Sequence, residues 1–402
     1  MLRRALQSRL SRARLGTFVT FALGGLLCGV WVARMPALSA KYGISDSAVG
    51  VVLLTWGVAA IIAMQGLRGL MARTDSRKVL RAAAPLAAFT AGLVAIAPTY
   101  PLLLVAIALF GMAFGVMDIA MNAQGAAVER AYGRPVLNGM FAGWCLGAMS
   151  GGLFGSLTAA LGLTFTPAVL IAALVVLPAT LAVGRTYLAD LPAPVPAAAG
   201  GRARLPLVVY LIGALAFIAF MAEGAIADWS GLLLNQELHA TEAVAALGYP
   251  LFEFAMLCGR LVGDRLRSRF GTRLLLTLAG VGTAAAMSIV VLAPATPVAL
   301  FGLFLTGAMV STVSPIMMSL AGSAAPGQGA ASVAQVGAMG YGGLLLGPVV
   351  IGFLSDGSSL RMALGLVIVL SLLVAAGIRF LPISTQADVA AAPIEDRELI
   401  AA

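Results

Sequence analysis

The sequence predicts an all-α membrane protein with twelve transmembrane helices in two pseudo-symmetric bundles of six. Three observations carry that prediction. The 402-residue chain is 61% hydrophobic and only 10% charged, with a mean hydropathy of +1.01, whereas soluble domains carry about 25% charge. Its apolar runs are about 20 residues long, the length of a spanning helix, while barrel strands would alternate over about 10. A tract rich in Pro and Ala, residues 189–204, divides these runs into six and six.

The chain opens with five arginines ahead of an apolar run that starts at Gly16. Ala37-Leu38-Ser39-Ala40 resembles a cleavage site, but the run is too long for a signal-peptide core, so it is expected to stay as the first span. The first six spans are placed at Gly16 to Met35, Asp46 to Leu67, Val79 to Ala97, Pro101 to Val128, Pro135 to Leu161 and Phe165 to Tyr187. The second six are Leu205 to Leu234, Ala243 to Leu266, Arg273 to Ala293, Pro297 to Leu320, Gln328 to Leu354 and Leu360 to Leu381. The expected bundles are therefore 1–188 and 205–383, joined by the linker 189–204 and followed by a polar, disordered tail at 384–402.

With both termini in the cytoplasm, only Arg34, Lys41 and Arg361 fall outside, and the other 22 of the 25 Lys and Arg residues fall inside. That is the positive-inside rule, so the net charge of +9 reports topology and not a nucleic-acid partner. Cys28, Cys145 and Cys258 lie in apolar runs without metal or disulfide spacing, and the single histidine, His239, lies in a polar loop. Neither a metal site nor a histidine relay is expected.

One stretch is out of keeping with its surroundings. Asp118 stands alone in span 4, with no charge from Ala82 through Met117 or from Ile119 through Val128. An acid there costs a few kcal/mol unless it is neutral, paired or facing a wet cavity, so it is usually retained for function. Gly111, Gly115, Asp118, Asn122 and Gly125 recur at helical spacing and form one stripe facing other helices. The competing reading is an acid hydrogen-bonded to a neighbour for packing. Glu253 lies nearest the middle of span 8, on a face shared by Tyr249, Met256, Arg260 and Asp264; that polar face suits the lining of a wet cavity, while Arg260 and Asp264 read more simply as ending the helix at the cytoplasmic surface. Glu223 lies deep in the outer half of span 7, while Asp228 and Trp229 approach the outer interface, where a Trp is usually an anchor. Arg34 ends span 1 before Pro36; it reads as a snorkelling side chain at the rim or, alternatively, as a gating residue. Trp31, Trp56, Gln65, Trp144, Gln335 and Tyr341 are groups able to stack on or hydrogen-bond a sugar, or simply to pack. Glycines at 139, 143, 147, 151 and 155 give span 5 a stripe for close approach of another backbone.

The halves also echo one another. The loop after span 2 (Arg68, Arg73, Arg77, Lys78, Arg81) and the loop after span 8 (Arg260, Arg265, Arg267, Arg269, Arg273) are both strongly basic. In this respect the chain resembles a major facilitator superfamily transporter. Gly69 and the closing pair Arg77-Lys78 match the family's loop signature, and Arg269-Phe270-Gly271-Thr272-Arg273 matches its second copy. Arg73 and Ser268 stand where the family has acids, which leaves Asp75 and Asp264 to form the charge lock with Arg77 and Arg269. A narrower resemblance, to fucose-permease-like sugar and proton symporters, rests on Asp118 through Gln124, Glu223 through Trp229, Gly340 through Gly343, and Gly347-Pro348.

The resemblance implies a secondary active transporter taking up a small, sugar-like polar solute with protons, by alternating access around a central cavity. Asp118 and Glu223 would couple protons, and Glu253 joins them on its mid-span position alone. Asn122, Gln124, Trp31, Asp228, Tyr249, Gln335 and Tyr341 would meet the solute. No cofactor is expected beyond the proton gradient, and the expected setting is a monomer in the bacterial inner membrane. The absence of a P-loop or a GxSxG motif argues against ATP-driven transport and enzymatic hydrolysis. The main alternative is a proton-coupled exporter of drugs or metabolites, which the 17 methionines favour. The absence of Gly-Pro in span 5 weighs against it. A non-transporting sensor is the third reading.

Overall fold

The computed structural model describes residues 2–66, 74–133, 136–189, 205–325, 328–381 and 383. Among these residues, twelve helices are long and apolar enough to cross a membrane. Spans 1 to 6 are Ser8–Ala33, Asp46–Gly66, Ser76–Ile96, Tyr100–Tyr132, Gly139–Ala160 and Phe165–Thr186. Spans 7 to 12 are Leu207–Glu237, Glu242–Gly263, Thr272–Val291, Thr296–Ser323, Ala331–Asp356 and Leu360–Phe380. No strand occurs among the described residues. The linker from 190, the tail from 384, and Arg68, Gly69 and Arg73 lie outside the described residues.

Local chemistry sets the breaks. After Arg34 the chain continues as a short helix, Met35–Tyr42, because Pro36 is tolerated in a first turn where no intrahelical N–H is needed. Gly43, at φ 60, ends it in the left-handed region. Asp75 caps span 3 by accepting from the Arg77 backbone N–H at 2.9 Å. Span 10, expected as one uninterrupted helix, is two segments, Thr296–Val310 and Val313–Ser323, broken at Ser311 and Thr312.

The chain divides into two compact units, Met1–Ala199 with Gly231–Glu253, and Gly200–Ser230 with Phe254–Ala402. The first unit thus contains the segment 231–253 as well as the first six spans. At its centre, spans 1 and 5 lie backbone to backbone. A Cβ on Gly147 would meet the Ala22 carbonyl oxygen at 1.9 Å, and one on Gly151 that of Leu26 at 2.2 Å. Gly25 and Gly29 of span 1 stand against the Trp144 and Ala148 carbonyls in the same way. The glycine stripe of span 5 therefore serves packing inside the first unit. Gly139 is the exception, with nothing within 4 Å.

The second unit repeats the device with spans 7 and 11. A Cβ on Gly343 would run into the Phe217 carbonyl oxygen, and one on Gly347 into that of Met221.

Candidate functional site

In the first unit, span 4 places Asp118 and Asn122 one helical turn apart, both half-buried. Asn122 Nδ2 donates to the Asp118 carbonyl at 2.9 Å and to its Oδ1 at 3.3 Å. Gly111 and Gly115 of the same stripe let span 2 approach at Trp56 and Ala60, which holds the helix and so aims the acid. Among the described residues no cation pairs with Asp118.

One turn before Asp118 lies Phe114, the hub of an aromatic cluster the sequence did not reveal. Its ring centre is 5.5 Å from Trp56, 5.5 Å from Phe110 and 6.0 Å from Trp144, while Phe110 is 6.4 Å from Trp31. Three of the predicted stacking residues are thereby brought together. Trp31 itself is buried among apolar side chains. Gln124 is fully buried, and its amide pairs with the Leu188 backbone, donating to the carbonyl at 3.1 Å and accepting from the N–H at 3.0 Å. It ties span 4 to the chain that leaves span 6.

In the second unit, Glu223 of span 7 meets side chains from two other spans. Arg260 of span 8 comes within 4.0 Å of Glu223 Oε1, and the Ser314 hydroxyl of span 10 donates to Oε2 at 3.2 Å. Arg260 and Glu223 keep 31% and 18% of their side-chain surface accessible. Ser314 reaches the acid from the first turn after the break in span 10, which is why sequence reasoning missed it. Asp228 is half-buried, one residue from Trp229. The expectation of an interfacial Trp229 is corrected: its ring is fully buried and its Nε1–H donates to the Pro348 carbonyl at 2.9 Å. Gln335 is half-buried and Tyr341 is half exposed. Arg269 is exposed, its guanidinium 5.6 Å from the Phe270 ring centre. Asp264 lies on the span 8 helix, but its side chain is outside the described residues.

Arg34 also differs from the rim reading. It is 1% exposed, within the first unit, 3.2 Å from Glu242 Oε2, and donates to the Leu163 carbonyl. Burial lowers its pKa from the ordinary value, and Glu242 opposes that. Neighbouring contacts reinforce the pair. Ser156 donates to the Ala243 carbonyl at 2.7 Å, and Gln236 donates to Asp46 Oδ1 at 3.2 Å. Tyr249 and Glu253 are buried in the same unit. Asp75 makes a short-range ion pair with Arg77, at 3.1 Å, besides capping span 3. Among the described residues no group of three or more His, Cys, Asp or Glu is able to hold a metal ion.

The comparisons with known proteins agree with this fold. The Major Facilitator Superfamily profile matches residues 15–336 and 212–401. An uncharacterised MFS-type transporter of Yersinia pestis is 32% identical over 91% of this chain and 95% of its own length. The membrane protein MosC of Rhizobium meliloti is 31% identical, covering 88% of this chain and 86% of its own. Among solved structures, a mutant of the nucleoside transporter NupG superposes with a TM-score of 0.76 at 12% identity, covering 92% of this chain and all of the other. A bacterial homologue of the human lysosomal transporter Spinster gives 0.72 at 13%, covering 94% and 98%. Profile, relatives and fold together place this chain in the Major Facilitator Superfamily, as a multi-pass membrane transporter.

Proposed function

We propose that the protein carries a small polar solute across the bacterial inner membrane by alternating access, driven by protons, with both termini in the cytoplasm. The observation that carries this reading is the pair of intramembrane carboxylates, one in each unit: Asp118 beside Asn122, and Glu223 beside Arg260 and Ser314. Each acid is held by polar groups inside a membrane span, and each is partly accessible. Carboxylates kept in that setting suit uptake and release of a proton. At the edge of the buried aromatic cluster around Phe114, the partly accessible Trp56 and Trp144 would supply apolar surface for a ring-bearing solute.

The test uses proteoliposomes containing a trapped pH dye. Sugars and polyols are added on the acidic side of an imposed gradient, and internal acidification is followed. Wild type is expected to acidify the lumen with at least one solute, and Asp118→Asn to abolish that response while eluting as a folded monodisperse protein. Acidification unchanged in Asp118→Asn removes Asp118 from the mechanism, and acidification by no solute removes proton coupling.

A further inference from the structure

The two units differ at the end where their first span begins and their fourth and sixth spans finish, the cytoplasmic side in the reading above. In the first unit this place is filled. A Cβ on Gly16 of span 1 would strike the Thr186 side chain, and Tyr187 is 3% exposed, its hydroxyl 2.7 Å from that of Thr20. Gln124 of span 4 is sealed against the Leu188 backbone, and Arg81 of span 3 donates to the Gly184 carbonyl at 2.6 Å. In the second unit the corresponding place is a cavity of about 200 Å³. Val208 and Ile212 of span 7, Leu320 and Ser323 of span 10, and Leu381 and Ile383 beyond span 12 line it.

The rim of this cavity is basic. Arg273, in the first turn of span 9, donates to the Leu381 and Ile383 carbonyls at 3.1 and 3.4 Å, and its Nε is buried without a hydrogen-bond partner. Arg267 donates to the hydroxyl of Ser319, the residue before Leu320, at 3.0 Å. Arg273 also reaches the Arg379 carbonyl. Arg379 and Arg269 each lie over the exposed ring of the next residue, 4.7 Å from the centre of Phe380 and 5.6 Å from that of Phe270. Hydroxyls, carbonyls and ring faces do not cancel a charge. Residues 264–273 hold four arginines and one acid, Asp264, and Arg379 adds a fifth cation, so the rim stays positive whatever Asp264 pairs with.

We infer that this cavity binds one anionic phospholipid, with its phosphate on the rim arginines and part of an acyl chain among the aliphatic side chains below. A hollow with aliphatic walls and cations at its mouth fits a ligand that is apolar along its length and anionic at one end. Basic pockets between spans on the cytoplasmic side lodge such headgroups. A guanidinium matches phosphate in a fork, and the exposed Phe270 and Phe380 rings suit the acyl boundary just beneath. A free phosphate would leave the hollow empty, and a neutral lipid would leave the rim charge unmet.

Mass spectrometry of the intact complex counts the lipid retained when dioleoylphosphatidylglycerol or dioleoylphosphatidylethanolamine is added to the washed, detergent-purified protein. The two share acyl chains and differ in headgroup charge. Wild type is expected to retain one phosphatidylglycerol, about fivefold more than phosphatidylethanolamine, the preference that one cation near an anionic headgroup gives. It should also melt at a higher temperature with it, while sodium phosphate gives no shift. Arg267→Gln combined with Arg379→Gln should remove the preference. Ser323→Phe keeps every charge, fills the hollow and should lower retention of both lipids; where it fails to fold, Ala324→Leu fills the same space. Arg9→Gln combined with Arg12→Gln, on span 1 of the first unit, is the control and should change nothing. Equal retention of the two lipids, an equal loss in the control, no effect of filling the hollow, or the same shift with phosphate alone overturns the inference. Phosphatidylglycerol retained only after Glu395→Gln and Glu398→Gln would assign the cavity to the acidic tail and overturn it as well.

Discussion

The acids of the two units are built differently. Asp118 is held by an amide of its own helix, one turn away, so its geometry survives any motion that keeps span 4 intact. Glu223 is held by side chains from two other spans, and its geometry depends on how spans 7, 8 and 10 lie together. A locally held acid changes charge without changing shape, whereas an acid held between helices links its charge to their packing. The first suits a proton carrier; the second suits a switch that senses what else occupies the site.

The largest effect that would sharpen this contrast is functional. Asp118→Asn is expected to lower proton-driven flux at least 100-fold, equivalent to about 2.7 kcal/mol. Its melting temperature should stay near wild type because no cation loses a partner. A large loss of stability would instead make Asp118 a structural acid.

Next come the helix pairs on which both sites rest. Gly147→Val and Gly347→Val each force a side chain into a facing backbone carbonyl, at an expected cost of at least about 3 kcal/mol. Fluorescence-detected size exclusion should show aggregated or absent protein for both. Gly139→Ala, in open space, is the control and should be neutral or stabilising by up to about 1 kcal/mol. If all three variants behave alike, backbone approach is not what the glycines provide.

The Glu223 site predicts a coupling that the Asp118 site does not. In a double-mutant cycle, Arg260→Gln and Glu223→Gln are expected to interact by up to about 1 kcal/mol, since the pair is partly accessible and either change alone already removes the contact. Additive effects would mean the 4.0 Å contact carries no energy. An effect of similar size is expected of Trp229→Phe, which loses the hydrogen bond to the Pro348 carbonyl and should cost about 1 kcal/mol by thermal unfolding.

Much of this architecture was legible in the chain, because span length and charge asymmetry follow from the bilayer and not from packing. All twelve spans lie where apolar runs of about 20 residues placed them. The intramembrane acids could be read for the same reason, as charges where hydrocarbon forbids them. Their partners could not. Glu242 sits at the start of span 8, far along the chain from Arg34, and only packing brings them together. The broken tenth span was missed because Pro315 was not weighed: it sits in the first turn of the second segment and has no N–H to bond the Ser311 carbonyl four residues back. Trp229 looked interfacial because its depth along the helix was visible while the neighbour that covers it, span 11, was not.

The glycine contacts between spans 1 and 5, and again between 7 and 11, also carry a consequence for synthesis. Spans 1 and 7 each enter the membrane four spans before the partner whose backbone they will touch, so their small-residue faces must wait among lipids or insertion factors until that partner arrives. A chain stopped after span 4 or span 10 would hold half of an unmade seam, which makes those two points of translation the ones at which quality control has most to recognise.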